Sequence, residues 1–167
     1  ALIQGSIIHF ASRDAMDIKG LGEKVVEELF NAHLINNYAD IYDLKAEQLE
    51  NREGWGKISA INLIEAINES KNIPFERVLF ALGLRHVGII AARLLAEHFK
   101  SMENLMNASI NDLENVKGIG SETAISILKS LQNESMKEII ARLKNYGLQM
   151  EYVNENTGSA LQGKTFL

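Results

Sequence analysis

The sequence predicts an all-α protein with a short extended tail at its C-terminal end. Two observations predict this fold class. Apolar residues recur at helical spacing along most of the chain, and glycine-containing turns separate these segments. The alternation typical of a strand is confined to "LQMEYV" at 148–153, which precedes the linker-like "NENTGSA" at 154–160. We therefore expect helices joined by tight turns up to residue 147, followed by an extended segment and a linker over 148–160.

Composition narrows the possible classes of function. The 167 residues are enough for one or two small domains, and 46% of them are hydrophobic. The absence of cysteine excludes disulfides and thiolate metal sites, and the four histidines lack ligand spacing with carboxylates, so we expect no metal site. No apolar run approaches the roughly 20 residues that span a bilayer. The net charge of −5 disfavours binding to nucleic acid by overall electrostatics, so any phosphate binding must rest on local geometry.

Four turns of similar sequence divide the chain. They lie in "DIKGLGEKVVEELF" at 17–30, "NREGWGKISAINLI" at 51–64, "GLRHVGIIAARLLAEHF" at 83–99 and "NVKGIGSETAISIL" at 115–128. A shift of 64 residues superimposes the second turn on the fourth, and a shift of 66 superimposes the first on the third. We therefore expect two paired units of about 65 residues each, over 14–72 and 73–147.

Start and stop signals place helices between these turns. "GEKVVEELFNAH" and "ISAINLIEAINES" carry apolar residues at the three- and four-residue spacing of half-buried helices. Pro74 suits the first turn of a helix, and Gly83 suits its C-terminal cap. Ser109 with Asp112 and Ser135 with Glu138 resemble capping boxes, so we expect helices to begin at both places.

Each turn joins the end of one helix to the start of the next and holds one apolar residue. We expect these apolar residues to pack into the core, which exposes the backbone amides around the glycines at a helix N-terminus; they are Leu21, Trp55, Val87 and Ile119. Such amides suit a phosphate oxygen and ignore base identity. For any single turn, the alternative is that glycine only satisfies the turn geometry. We expect Trp55 to be a core residue rather than a wedge between bases.

The turns resemble the helix-hairpin-helix motif, whose core runs apolar–x–Gly–apolar–Gly. The stretches 18–22 and 116–120 match this pattern fully. The second turn has Arg52 where an apolar residue is usual, and the third has His86 in place of the first glycine. We therefore expect the third hairpin to contact phosphate less closely, or through side chains.

The resemblance implies contacts with the DNA backbone at all four hairpins. Glycine amides would bind phosphate, and neighbouring basic or hydroxyl side chains would add hydrogen bonds. The candidate DNA-binding residues are Lys19, Gly20, Gly22, Lys24, Arg52, Gly54, Gly56, Lys57, Arg85, His86, Gly88, Lys117, Gly118, Gly120, Ser121 and Thr123. The alternative for each basic side chain is a solvated surface position, and the alternative for Ser121 is a cap on its own helix.

Longer stretches carry a more specific resemblance. "HFASRDAMDIKGLGEKVVEELF" and "FERVLFALGLRHVGIIAARLLAEHF" are similar to bacterial NAD-dependent DNA ligases, whose layout also has four tandem hairpins in two pairs. By the same resemblance, residues 1–13 look like a remnant that follows the zinc finger of that family, and residues 161–167 look like the start of its BRCT domain. The resemblance implies a DNA-binding domain, not sequence-specific, that grips the duplex from the minor-groove side around a nick.

The resemblance also bears on chemistry and partners. The parent enzyme would use NAD, magnesium and zinc to seal nicks, but this chain lacks the Lys-x-Asp-Gly motif of the family and its zinc-binding cysteines. We therefore expect it to be non-catalytic, to bind no cofactor, and to act in the bacterial cytoplasm and nucleoid as a monomer on nicked or duplex DNA, away from membranes. The alternatives are a DNA-binding or interaction module of another repair protein, and a glycosylase, which the absence of a Gly-Pro-Asp stretch disfavours.

Overall fold

A computed structural model describes residues 2–153 of the chain. Its α-helices are α1 Leu2–Ala11, α2 Glu23–Asn31, α3 Ala46–Glu50, α4 Lys57–Glu69, α5 Phe75–Ala81, α6 Ile89–Phe99, α7 Met102–Met106, α8 Ile110–Glu114, α9 Ser121–Gln132 and α10 Glu134–Tyr146. Two 3₁₀ helices span Tyr38–Asp43 and Ser70–Asn72. Between residues 2 and 153, extended pairing is limited to one isolated antiparallel bridge, so the predicted all-α class is confirmed.

The sequence repeat is also a structural repeat. The helix pairs α1/α2, α3/α4, α5/α6 and α8/α9 flank the four turns. At the 64-residue shift, the 3₁₀ helix Tyr38–Asp43 corresponds to α7, and the residues that cap these two helices correspond as well. Asn37 accepts the amides of Ala39 and Asp40, and Ser101 accepts the amide of Asn104. Each unit therefore holds two hairpins with a short capped helix between them.

Helix α1 corrects one predicted boundary. We expected the helix-hairpin-helix domain to begin at residue 14, after a remnant over 1–13, but α1 is already the first helix of the first hairpin. Ile7 and Phe10 on α1 are fully buried, and the Phe10 ring stacks on Tyr38 with 4.4 Å between the ring centroids. Residues three apart share one face of a helix, so these two side chains enter the core together. The helical body therefore includes residues before 14.

The two units share one hydrophobic core. The Tyr38 hydroxyl of the first unit donates to the carbonyl of Leu82 in the second, at 3.0 Å. The ring Nε2 of His9 lies 2.8 Å from the carbonyl oxygen of Phe80. On the opposite flank of Tyr38–Asp43, Arg142 of α10 forms ion pairs with Asp40 and Asp43. The units are consequently packed together rather than joined by a free linker.

The predicted helix ends are mostly confirmed. Pro74 is the N-cap of α5, Gly83 follows that helix with a φ of +72°, and Ser109 forms a reciprocal box with Asp112. Hydrogen bonds from the amide and hydroxyl of Ser109 lower the pKa of the Asp112 carboxyl. The Ser135 box is wrong, because α10 already begins at Glu134 and the Asn133 side chain caps it.

The predicted extended tail packs back onto the second unit. The Met102 amide donates to the Met150 carbonyl at 2.8 Å, and the Tyr152 amide donates to the Lys100 carbonyl at 2.7 Å. Residues 148–153 are therefore extended as predicted, whereas the predictions for 154–160 and 161–167 lie outside the described residues. Among the helices of residues 2–153, none has both the length and the apolar content required to cross a bilayer.

Candidate nucleic-acid interface

All four hairpin turns adopt the same backbone conformation. In each turn, the amide of the apolar residue donates to the carbonyl three residues earlier: Leu21 to Ile18, Trp55 to Arg52, Val87 to Leu84 and Ile119 to Val116. The residue before the apolar one has a φ of +91° at Gly20, +86° at Gly54, +68° at His86 and +95° at Gly118. His86 thus occupies the left-handed conformation of the glycine that it replaces, and the third turn keeps its shape.

The apolar residues of the turns point inward, as predicted. Leu21, Val87 and Ile119 are buried. Trp55 is half-buried against the core, and its indole N–H donates to a Glu28 carboxylate oxygen at 3.0 Å. Arg52 Nε donates to the same oxygen at 2.8 Å. Glu28 on α2 therefore holds the second turn against the first hairpin. The contact occupies the side chain of Arg52, which is one of the predicted DNA-binding residues.

The last glycine of each turn is not required by the fold. These residues, here called the N-cap glycines, precede α2, α4, α6 and α9; they are Gly22, Gly56, Gly88 and Gly120. Their φ values lie between −82° and −128°, a range open to any residue. A Cβ atom added at any of them meets no heavy atom within 4 Å. A side chain at these positions would extend away from the protein.

The N-cap glycines contrast with the caps elsewhere in the chain. Outside the turns, side-chain oxygens of Asn37, Ser101, Ser109 and Asn133 accept the first amides of four helices, whereas α3 and α5 begin without a side-chain cap bond. Glycine has no such oxygen, so the first amides of the four hairpin helices receive no bond from their N-cap side chain. At the second hairpin, Ser59 Oγ accepts the Gly56 amide itself at 3.0 Å. The helices that follow the turns therefore present amides that the four side-chain-capped helices use internally.

Within each unit, the turn of one hairpin packs against the second helix of the other hairpin. In the first unit, a Cβ atom on Gly20 would lie 3.6 Å from Leu63 of α4, and Lys19 and Trp55 line one open cleft of about 370 Å³. In the second unit, the Arg85 carbonyl accepts a hydrogen bond from Ser126 of α9 at 3.1 Å. Gly118 in turn packs against Leu94 of α6. The two turns of a unit are thus neighbours.

The first and third hairpins meet across the boundary between units. Asp17, just before the first turn, and Ile89, just after the third, line one cleft of about 430 Å³. Arg13, Arg77 and Arg93 line the same cleft. The first and third hairpins are therefore neighbours across the boundary, as the two hairpins inside each unit are.

Most of the predicted DNA-binding residues lie at the surface. Fourteen of the sixteen are exposed, and Arg52 and Thr123 are half-buried. Lys19 is paired with Asp17 at 3.7 Å, with 82% of the lysine side chain exposed. Ser121 is the first residue of α9 and makes no cap bond, because Gly120 occupies the N-cap position. These residues are therefore accessible to a ligand, except for the side chain of Arg52, which is bound to Glu28.

Charge differs among the hairpins. Exposed carboxylates lie beside the first, second and fourth turns, at Glu23, Glu53 and Glu122. The third hairpin has no Asp or Glu from residue 83 to 96, and it carries Arg85, His86 and Arg93. The hairpin with the poorest match to the motif is therefore the most basic one. Within residues 2–153, no cluster of His, Cys, Asp or Glu is arranged to hold a metal ion.

Two features of this surface were missed from sequence. Glu28 lies 24 and 27 residues before its partners Arg52 and Trp55, and no local pattern indicates that contact. Exposed isoleucines follow three of the turns. The sequence could have indicated them, because most of them recur two or five residues after an N-cap glycine.

Comparison with known proteins agrees with this geometry. Family profiles match residues 77–140 as a helix-hairpin-helix motif and residues 12–69 as a SAM-like helix-hairpin-helix tandem. Proteins named DNA ligase from Christiangramia forsetii, Flavobacterium johnsoniae and Coprothermobacter proteolyticus are 48%, 47% and 44% identical to this chain. These alignments cover at least 99% of the chain but 25% of each relative. The chain spans about a quarter of the length of the curated relatives that it matches.

The chain is therefore an all-α protein built from tandem helix-hairpin-helix motifs. Along essentially its whole length, it is similar to one segment of proteins named DNA ligase. The relationship predicted from the two long stretches of sequence is confirmed.

Proposed function

We propose that this chain is the DNA-binding region of an NAD-dependent DNA ligase and grips the duplex around a nick without reading its sequence. The N-cap glycines are the observation that carries the proposal. They have ordinary φ values, no neighbour within 4 Å of a Cβ atom, and no capping oxygen, yet all four hairpins have glycine there. A backbone that must be approached closely from outside, at a helix N-terminus, accounts for this choice.

A bound phosphate would accept hydrogen bonds from the amides at the start of α2, α4, α6 and α9. The positive ends of the helix dipoles would also attract its negative charge. Contacts of this kind position a protein on the sugar-phosphate backbone and carry no base information. The resemblance to NAD-dependent ligases favours approach from the minor-groove side. Each neutralised phosphate contributes about −0.9 to the slope of log K against log salt. With a net charge of −5, we expect a slope of only a few units.

The third hairpin would bind differently from the others. His86 replaces its first glycine at an unchanged backbone conformation, and Arg85 and Arg93 are exposed without a carboxylate between residues 83 and 96. Side-chain hydrogen bonds from these residues would supplement the amides at Gly88. The third hairpin would thus bind phosphate partly through charged side chains, whereas the other hairpins would rely mainly on backbone amides.

The sealing chemistry would belong to the rest of the parent enzyme. This chain covers a quarter of its ligase relatives and has no Lys-x-Asp-Gly motif for adenylation. NAD, magnesium and zinc would be bound by that remainder, in a bacterial cytoplasm, with this region acting as a monomer on DNA. Incubated alone with nicked DNA, the chain should leave the nick open.

A protein-interaction module is the second candidate. Glu23, Glu53 and Glu122 favour it, because carboxylates beside three turns oppose an approaching phosphate. In that case the hairpins would only join helices, and DNA affinity would not depend on the N-cap glycines. A glycosylase would instead release a base from damaged duplex.

The test compares Gly22→Ser/Gly120→Ser with Gly5→Ser. Serine at an N-cap accepts the N2 or N3 amide through its own oxygen, so the double variant should be as stable as the parent or slightly more stable. The same oxygen competes with phosphate, and we expect affinity for DNA to fall by about tenfold or more. Gly5 lies inside α1, has open space around a Cβ atom and lines a cleft with Glu23 and Lys24, so its serine variant controls for a serine near the first hairpin that does not cap a helix.

The measurement is a titration of labelled nicked and intact duplexes of the same sequence at two salt concentrations. The proposal is supported if the parent prefers the nicked duplex and its salt slope is shallow. It also requires that the double variant binds weakly and that Gly5→Ser does not. Unchanged affinity in the folded double variant would favour the interaction module. A steep salt slope or a strong base preference would contradict backbone binding through amides.

A further inference from the structure

Exposed hydrophobic side chains are concentrated beside the hairpin turns. In residues 2–153, seven large hydrophobic side chains are exposed, and two of these, Ile3 and Val153, lie away from the turns. The other five, here called the hairpin isoleucines, lie within the first five residues of α4, α6 and α9; they are Ile58, Ile61, Ile89, Ile90 and Ile125. Ile58 and Ile90 are the most exposed, at 77% and 76%. Such clustering at one kind of place indicates a binding surface.

Four of the five hairpin isoleucines follow a common register, and Ile89 is the exception. Ile58 and Ile90 each lie two residues after an N-cap glycine, and Ile61 and Ile125 each lie five residues after one. Positions two and five are three apart, so they share one face of the helix. The second, third and fourth hairpins therefore present isoleucine on the same face of the helix that begins at the turn. This face adjoins the amides that the proposed function assigns to phosphate.

We propose that the hairpin isoleucines pack against the deoxyribose of the DNA backbone, next to the phosphates held by the turns. This inference rests on the proposed function and adds the sugar as a second recognised group. Between successive phosphates, the C–H face of deoxyribose is the apolar part of the backbone. A branched hydrocarbon gains nothing against phosphate but gains free energy when it covers such a C–H surface. The amide contact with the charged phosphate and the apolar contact with the sugar are therefore side by side.

Sugar recognition of this kind discriminates DNA from RNA. The 2′-hydroxyl of ribose would be placed against an isoleucine that offers it no hydrogen bond, and burying an unpaired hydroxyl is costly. Duplex with ribose at the contacted positions should bind more weakly. Because hydrocarbon contact releases no counterions, this part of the affinity should not depend on salt.

The first hairpin lacks this apolar surface. Lys24 and Glu27 occupy its positions two and five after the N-cap glycine, and both are exposed. Its contacts would be made through the Lys24 side chain and the amides, without an apolar part. Replacing Lys24 should therefore change the salt slope, whereas replacing Ile58 and Ile90 should not.

The experiment measures affinity of the full chain for a nicked DNA duplex at two salt concentrations. Ile58→Ser/Ile90→Ser should weaken binding about tenfold with the salt slope unchanged. Ile3→Ser, on α1 away from the turns, is the matched control and should bind like the parent. Lys24→Gln should weaken binding and also lower the slope by about one phosphate equivalent.

A second measurement isolates the sugar. In a series of nicked duplexes, deoxyribonucleotides are replaced by ribonucleotides one position at a time, and each duplex is titrated with parent and double variant. At some positions near the nick, we expect ribose to lower the affinity of the parent but not that of the isoleucine double variant. A direct contact between isoleucine and sugar produces this kind of coupling. Equal ribose penalties in both proteins would overturn the assignment to deoxyribose.

The failures of the two proposals are distinguishable. If Ile58→Ser/Ile90→Ser binds like the parent while Gly22→Ser/Gly120→Ser does not, the isoleucine inference is wrong and amide binding stands. If both double variants bind like the parent, DNA binding by the hairpins is wrong as well. Unfolding midpoints of all variants verify that each remains folded.

Discussion

Gly118 and Leu94 are in close contact: a methyl group on Gly118 would lie 2.9 Å from Leu94 Cδ1. Gly118 also has a φ of +95°, which side chains rarely adopt. Gly120, two residues later in the same turn, has a φ of −82° and open space around its Cβ position. The fold therefore requires the first glycine of this hairpin and does not require the second.

This difference predicts opposite outcomes for two alanine variants. Gly118→Ala should lower the free energy of unfolding by about 1 to 2 kcal/mol, chiefly because alanine must adopt a left-handed φ, whereas the Leu94 methyl group can move aside. Gly120→Ala should cost less than about 1 kcal/mol, since alanine is only a poorer N-cap than glycine. Urea unfolding of both variants measures the difference. Equal losses would show that the fold requires both glycines and would remove the main support for an external ligand.

Glu28 should hold the second turn in place. Glu28→Gln weakens the bonds from Arg52 and Trp55, and we expect it to lower the free energy of unfolding by about 1 kcal/mol. The chain has one tryptophan, so a shift in its fluorescence emission reports the change at Trp55 directly. Glu27→Gln, an exposed neighbour on α2, is the control and should leave both stability and emission unchanged.

Arg142 should stabilise the packing of the two units. It donates to Asp43 and to the Tyr146 hydroxyl, and the latter bond raises the pKa of the guanidinium. Arg142→Met keeps the apolar stem but loses these bonds, and it should cost about 1 to 2 kcal/mol.

Lys137→Met is the matched comparison for Arg142→Met. Lys137 lies on the same helix and forms one exposed pair with Glu134, at 3.5 Å. Losing that pair should cost less than about 0.5 kcal/mol. If the two methionine variants unfold at the same denaturant concentration, the Arg142 network does not stabilise the packing of the units.

Tyr42 should make stability sensitive to alkaline pH. Burial raises the pKa of Tyr42 to about 12 from its ordinary value of 10.0, and its hydroxyl is hydrogen-bonded to Ser70 at 2.8 Å. The folded state thus holds the proton more tightly than the unfolded state. The contribution of the protonated Tyr42 hydroxyl to the free energy of unfolding is therefore complete below pH 10 and is lost as the pH rises toward 12.

Tyr42→Phe tests this dependence. Ser70 still donates to the Ile67 carbonyl in that variant, so no new unpaired hydroxyl arises. Urea unfolding between pH 9 and pH 12 should show a smaller decline in stability for the phenylalanine variant than for the parent. Parallel declines would assign the alkaline sensitivity to other groups.

The hairpins could be predicted because their signals are local. A turn with a left-handed residue, an inward apolar side chain and a following helix is encoded within five consecutive residues, and the 64-residue repeat reinforces each copy. The helix signals at Pro74, Gly83 and Ser109 are also local, and the structure agrees with all three. Where two signals compete within one turn of helix, as at Asn133 and Ser135, sequence did not identify the cap that forms.

The sequence by itself determined the helical class, the four turns, their pairing into two units and the residues at the exposed bends. The tertiary structure alone decided which bends are neighbours, that α1 belongs to the first hairpin, and that Glu28 binds Arg52. It also distinguished glycines that pack against a neighbour, such as Gly118, from those that face open space, such as Gly120. The reason is physical: backbone conformation depends on a few adjacent residues, whereas contacts and exposure depend on residues far apart in the chain.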